Sequence, residues 1–291
     1  MLSFSSFADF LRMIKFSHTL FALPFALVAS ADVYKHYGHQ IRIGWRTLIA
    51  IIVAFTALRS FAMAANRVAD YEIDRLNPRT VKREIPAGRL SMTQVKIFAV
   101  ISFVIFCAAA FELSNLAGWL SPILAILVAF YSYTKRFTLL CHFWLGAVIG
   151  LAPIAVYVAL LSQIPLQAVL MALVLMTYIA GFDILYALQD RHFDRDHNLH
   201  SIPSRLGAKS ALYIAFFTHT ASLVILAFLI VQLRLPFVSW VGWIFCAGAL
   251  FLEHKIARKQ QDTISFGANF YRANIFFSLS YGFFLILGLI F

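Results

Sequence analysis

The apolar residues of this chain come in long runs separated by short polar interruptions. A helix needs about 20 residues to cross the hydrocarbon of a bilayer, and nine runs reach that length: 16–34, 45–69, 95–115, 117–134, 142–163, 166–190, 209–233, 236–256 and 267–291. Little more than Ser114, Asn115 and Gly118 separates the third from the fourth. Inside a bilayer the backbone has to satisfy its own polar groups, so each run predicts a helix. The expected fold is all-α: a polytopic membrane protein with nine transmembrane helices in a bundle around a central cavity. Residues 1–291 read as a single transmembrane domain, which leaves function to the membrane interior and the short loops.

Composition agrees. The 291 residues are 62% hydrophobic and 13% charged, with a mean hydropathy of +0.82, whereas an ordinary soluble domain is about half apolar and a quarter charged. This excludes a typical cytosolic enzyme and a disordered chain. Lys and Arg number 24 against 13 Asp and Glu, a net charge of +11. The excess is distributed by topology rather than as a nucleic-acid surface. The N-terminal segment and the loops after the second, fourth, sixth and eighth runs hold 18 Lys and Arg, against Lys35, Arg42, Arg46 and Arg234 on the other side. Basic residues accumulate in cytoplasmic loops, which places the N-terminus and the basic loops in the cytoplasm and the C-terminus outside, in a bacterial inner membrane. A removable leader ending near Ala29-Ser30-Ala31 is a competing reading of the first run, made unnecessary by eight further spans. Cys107, Cys141 and Cys246 have no metal or redox spacing.

The scarce acids carry the chemistry. Eight of the 13 fall in two short segments, and an ionisable group at membrane depth is costly unless it serves a site. In the first, Asn66, Asp70 and Asp74 follow one another at i, i+4 and i+8, on one helical stripe. Two carboxylates and an amide form a set of hard oxygen ligands suited to Mg²⁺. In the second, Asp183, Asp190 and Asp194 align at i, i+7 and i+11 of the sixth run. Four spans lie between the clusters, so both end on the cytoplasmic side. Mg²⁺ held by one or two carboxylates completes its shell with water and substrate phosphates. Basic groups for such phosphates lie close in sequence: Arg67, Arg79, Arg83, Lys135 and Arg136. Acid for metal and base for phosphate at one membrane face describe a diphosphate site.

At these residues the chain resembles the UbiA superfamily of intramembrane prenyltransferases. The resemblance rests on the Asn-Arg-x-x-Asp-x-x-x-Asp motif at 66–74, Tyr131-x-x-x-Lys135, and Asp-x-x-x-Asp at 190–194. Tyr186-Ala187-Leu188-Gln189-Asp190 and His200-Ser201-Ile202-Pro203 are most similar to the bacterial 4-hydroxybenzoate polyprenyltransferase branch, with its menaquinone-route relatives. The resemblance implies transfer of a polyprenyl group from polyprenyl diphosphate to an aromatic acid acceptor, 4-hydroxybenzoate or a dihydroxynaphthoate, in ubiquinone or menaquinone biosynthesis. It implies Mg²⁺ on Asn66, Asp70, Asp74, Asp190 and Asp194, with Arg67, Arg79, Lys135 and Arg136 on the diphosphate. It further implies that Tyr131 and Tyr186 stabilise an allylic cation and that Asp183 takes the ring proton or holds the phenol. Some family members carry Asp where this chain has Arg67, so that position is given no metal role.

Two other readings stand beside this one. A proton- or cation-coupled transporter could use the same acids as a relay, although transporters built from inverted repeats pair such features at the midplane in opposite senses. His192, Asp196, His197 and His200 could suggest zinc, but no HExxH pattern is present. His18, His142 and His219 read as polar packing or interfacial residues.

Overall fold

The computed structural model describes residues 4–14, 22–39, 41, 44–260 and 266–291. Among the described residues every regular element is helical. In chain order these are α1 (Phe4–Met13), α2 (Leu23–Tyr37), α3 (Trp45–Ala69), α4 (Tyr71–Leu76), α5 (Met92–Leu113) and α6 (Asn115–Thr134). There follow α7 (Cys141–Leu161), α8 (Leu166–Tyr186), a 3₁₀ turn (Ala187–Asp190), α9 (Arg191–Asp196), α10 (Ile202–Gln232), α11 (Phe237–Gln260) and α12 (Ala268–Ile290). Eight helical segments among the described residues are long and apolar enough to cross a membrane. The first expected span, 16–34, falls partly outside the described residues; its described part lies in α2, whose 15 residues are fewer than a crossing usually needs.

Local chemistry sets the helix boundaries. Ser114, in extended conformation (φ −166°, ψ 156°), separates α5 from α6, as the sequence suggested. Helix α10 begins seven residues earlier than its apolar run because Ser201 and Ser204 cap each other's backbone N–H at 3.3 and 3.0 Å and Pro203 sits in the first turn, where its missing N–H costs nothing. Gly207 then breaks the helical path at φ 80°, ψ 166°, a backbone region open to glycine.

The helices form two compact units. One contains α1 and α3–α6, the other α2 and α7–α12. In the first, α3 packs along α5 through Ala54, Ala57, Phe106 and Ala109, while Phe10, Met13, Ile85 and Leu90 close a second cluster beneath α1. In the second, α8 is the central element, packed by α7 and α10. Gly146 and Gly150 of α7 lie directly against the Met176 and Ala172 carbonyls of α8, with no space for a Cβ. Such a small-residue seam is how membrane helices approach closely without a hydrophobic driving force.

Candidate functional site

In the first unit the stripe survives a helix break. Helix α3 ends at Ala69 and Asp70 leaves helical geometry (φ −92°, ψ 4°). The backbone bonds Asp70 N to Asn66 O (2.9 Å) and Asp74 N to Asp70 O (2.8 Å) nevertheless carry the i→i+4 register across it. Arg67, Asp70, Asp74 and Asn77 are all buried, while Glu72 and Arg75 between them are exposed.

The two carboxylates are each 3% exposed and are countered by bases. Arg83 Nη1 donates to both oxygens of Asp74 at 2.7 Å. Arg67, 6% exposed, donates from Nη1 to Asn66 Oδ1 at 2.9 Å. Asn66 Nδ2 donates to Asp70 Oδ2 at 3.1 Å and to Ser132 Oγ at 3.3 Å, which places α6 beside the stripe one residue after Tyr131. The loop after α4 folds under it: Asn77 Oδ1 accepts from Arg79 N at 2.9 Å, and Thr80 Oγ1 donates to the Asp74 carbonyl at 3.1 Å. Burial of paired opposite charges is strongly destabilising to break, so this unit holds a buried acid–base network at the end of a membrane helix. Its oxygen set fits a hard divalent cation. The guanidinium on Asp74 shows that this position already accommodates positive charge.

In the second unit a 3₁₀ turn falls within the stretch that joins Asp183 to Asp190 and Asp194. The 3₁₀ turn from Ala187 to Asp190 winds at 3.0 residues per turn instead of 3.6, which carries the chain about 80° past α-helical register over four residues. Asp190 and Asp194 remain neighbours close enough to repel, with Lys135 close enough to Asp194 to offset it. Ser201 Oγ donates to Asp194 Oδ2 at 2.9 Å, and His200 N to the Lys135 carbonyl at 2.7 Å, so the α9–α10 loop gathers both residues. Asp183 belongs to a different pair: its Oδ2 lies 2.7 Å from His142 Nδ1.

Tyr186, half-buried, stacks on Phe182 with centroids 6.0 Å apart and meets Tyr271 edge-on at 6.1 Å. Gln189 ties this corner together, donating to the Tyr186 carbonyl at 2.9 Å and accepting from Phe266 N at 2.7 Å. Tyr131, Lys135 and Arg79 are half-buried and Arg136 is exposed. His192, Asp196 and His197 are exposed at the surface, His197 stacked on Phe193 at 4.0 Å. Among the described residues no three His, Cys, Asp or Glu side chains converge as a ready-made metal cage; Mg²⁺ takes few protein ligands and fills its shell with water and phosphate.

Sequence reasoning missed the part played by Ser132, Ser201 and His142. His142 had one legible signal, its i, i+4, i+8 relation to Gly146 and Gly150, which marks the face of α7 turned to a close neighbour.

Residues 22–279 match the model of the UbiA prenyltransferase family. Among curated relatives, the 4-hydroxybenzoate octaprenyltransferase of Serratia proteamaculans is 27% identical over 228 residues, 74% of each chain. That of Cupriavidus necator is 28% identical over 222 residues, 76% of this chain and 78% of the relative. Among solved structures, a UbiA homologue from Aeropyrum pernix superposes with a TM-score of 0.83 at 29% identity, covering 93% of this chain and 98% of the other. A UbiA homologue from Archaeoglobus fulgidus, bound to GPP and Mg²⁺, superposes at 0.70 with 17% identity over 96% and 99% of the two chains and shares the fold.

Proposed function

This chain belongs to the UbiA prenyltransferase family, and on that footing we propose that it transfers a polyprenyl group from polyprenyl diphosphate to an aromatic acid of quinone biosynthesis, 4-hydroxybenzoate or a dihydroxynaphthoate. The observation that carries the reading is the pair of buried carboxylates, Asp70 and Asp74, set against the guanidiniums of Arg67 and Arg83 at the end of α3. Such a network is costly in a membrane protein unless it serves a site. Relatives named for octaprenyl transfer to 4-hydroxybenzoate support the acceptor class.

In this reading Asn66, Asp70 and Asp74, together with Asp190 and Asp194, hold Mg²⁺. The ion supplies charge neutralisation for a diphosphate leaving group. The sequence topology supports this reading, since an even number of spans leaves both acidic sets at the same membrane face. Arg67, Arg79, Lys135 and Arg136 take the diphosphate oxygens, where fixed positive charge lowers the barrier to heterolysis. As the allylic C–O bond breaks, its electron pair leaves with the diphosphate. Tyr131 and Tyr186 present π faces to the cation, worth about 0.5–2 kcal/mol each. The electron-rich ring carbon then attacks, a C–C bond forms, and the ring proton leaves to Asp183, restoring aromaticity. The N-terminus and the acidic ends of α3 and α8 lie in the cytoplasm.

Purified protein offered one polyprenyl diphosphate and Mg²⁺ with 4-hydroxybenzoate and a dihydroxynaphthoate side by side decides the acceptor. A prenylated ring by mass spectrometry with one of them is the expected result; no alkylation of either overturns the aromatic-acceptor reading.

A further inference from the structure

His142 opens α7 and is 2% exposed. Both of its ring nitrogens are engaged. Nε2 lies 3.2 Å from the backbone nitrogen of Ile202, and a backbone N–H can only donate, so Nε2 is the acceptor and carries no proton. The ring proton therefore sits on Nδ1 and is donated to Asp183 Oδ2 at 2.7 Å. This tautomer is assigned from the hydrogen-bond network: an imidazolium would set two N–H groups against each other at Ile202. Asp183 keeps its second oxygen outside this bond, and its side chain remains 17% exposed. One oxygen is fixed by the imidazole.

Three elements converge to place the ring. The seam at Gly146 and Gly150 brings the α7 backbone onto α8, and one turn before Gly146 the antiparallel neighbour of His142 is Asp183. Ile202 is the first residue of α10, inside the cap formed by Ser201 and Ser204. Ser201 also donates to Asp194. Next to His142, Cys141 Sγ donates to the His200 carbonyl at 3.3 Å, and His200 N reaches the Lys135 carbonyl. The imidazole thus refers Asp183 to the same short loop that orients Asp194 and the chain at Lys135.

We propose that His142 is the positioning residue for Asp183, fixing through Nδ1–H the orientation of the carboxylate that faces the acceptor ring and tying it to the cap that holds Asp194. The inference rests on the aromatic-acceptor reading above. The competing account is a brace for the start of α10 alone, which would need only an acceptor for the Ile202 N–H.

Three variants of the full-length protein, purified in nanodiscs and assayed with Mg²⁺, polyprenyl diphosphate and the accepted aromatic acid, separate the accounts. His142→Gln keeps an N–H donor and a carbonyl acceptor. His142→Met keeps a weak thioether acceptor and removes the donor, and His142→Leu removes both. The proposal expects His142→Met and His142→Leu to lower kcat about 10- to 100-fold, with the KM for the donor within about twofold, and His142→Gln to recover most of the rate. A His142→Met enzyme as active as His142→Gln, or a His142→Leu enzyme with unchanged kcat, overturns it. If His142→Leu does not fold, the Met–Gln comparison decides alone. A wild-type protein that alkylates neither acceptor refutes the function itself, an outcome distinct from both.

Discussion

Asp74 is closed off from solvent with both oxygens on one guanidinium, that of Arg83. Ion-pairing alone would make it structural; service as a metal ligand would make its loss visible as a changed metal requirement. Asp74→Asn keeps the volume and a hydrogen-bonding oxygen. It is expected to reduce turnover at least about 100-fold and to raise the Mg²⁺ concentration for half-maximal activity; a metal titration with an unchanged midpoint would refute the ligand role. At this scale the first acidic stripe was legible in the sequence because the i→i+4 bonds run through the break at Asp70. The second was legible only in part: Asp190 and Asp194 sit within one short stretch, but a 3₁₀ turn interrupts the helical register between them and Asp183. The partner that Asp183 takes lies 41 positions earlier in the chain, on another helix, where only its i, i+4, i+8 relation to Gly146 and Gly150 marks it.

Helices were the most legible feature, because a membrane interior admits few alternatives to a self-satisfied backbone. Their ends were less so. Capping at Ser201, the glycine break at 207 and the 3₁₀ turn after Tyr186 are set by one or two residues each and leave no trace in hydropathy. The contact between α7 and α8 deserves a direct test, since it aims His142 at Asp183. Gly146→Leu would drive a side chain into the Met176 carbonyl and Ala180. Overpacking of this kind costs about 1–3 kcal/mol, so the variant is expected to melt at lower temperature than wild type and to lose activity with it. An unchanged melting temperature in the same detergent would show that the seam is not a close contact.

At the scale of the whole molecule, basic residues divide 18 to 4 between alternate loops, and that asymmetry sets the expected orientation. Single cysteines introduced at Val81 or Asn198, between α4 and α5 and between α9 and α10, should react with a membrane-impermeant maleimide only after the cytoplasmic side is opened. Cysteines at Gln163 or Arg234, between α7 and α8 and between α10 and α11, should react in intact cells. The opposite pattern would invert the topology and put the acidic helix ends outside. Chain length and hydropathy made the membrane architecture readable, while the acceptor and the isoprenoid length depend on side-chain shapes that no run or motif encodes.

The central claim is metal-dependent transfer of a prenyl group to an aromatic ring through the two acidic clusters. Its most direct measurement follows diphosphate and prenylated ring together, from purified protein with polyprenyl diphosphate and the preferred acceptor, with Mg²⁺ or with chelator. The account predicts the two products in equal amounts with Mg²⁺, and loss of both with chelator and in folded Asp70→Ala and Asp190→Ala variants. Ring alkylation that persists in the chelated enzyme, or in either variant at the wild-type rate, would contradict it.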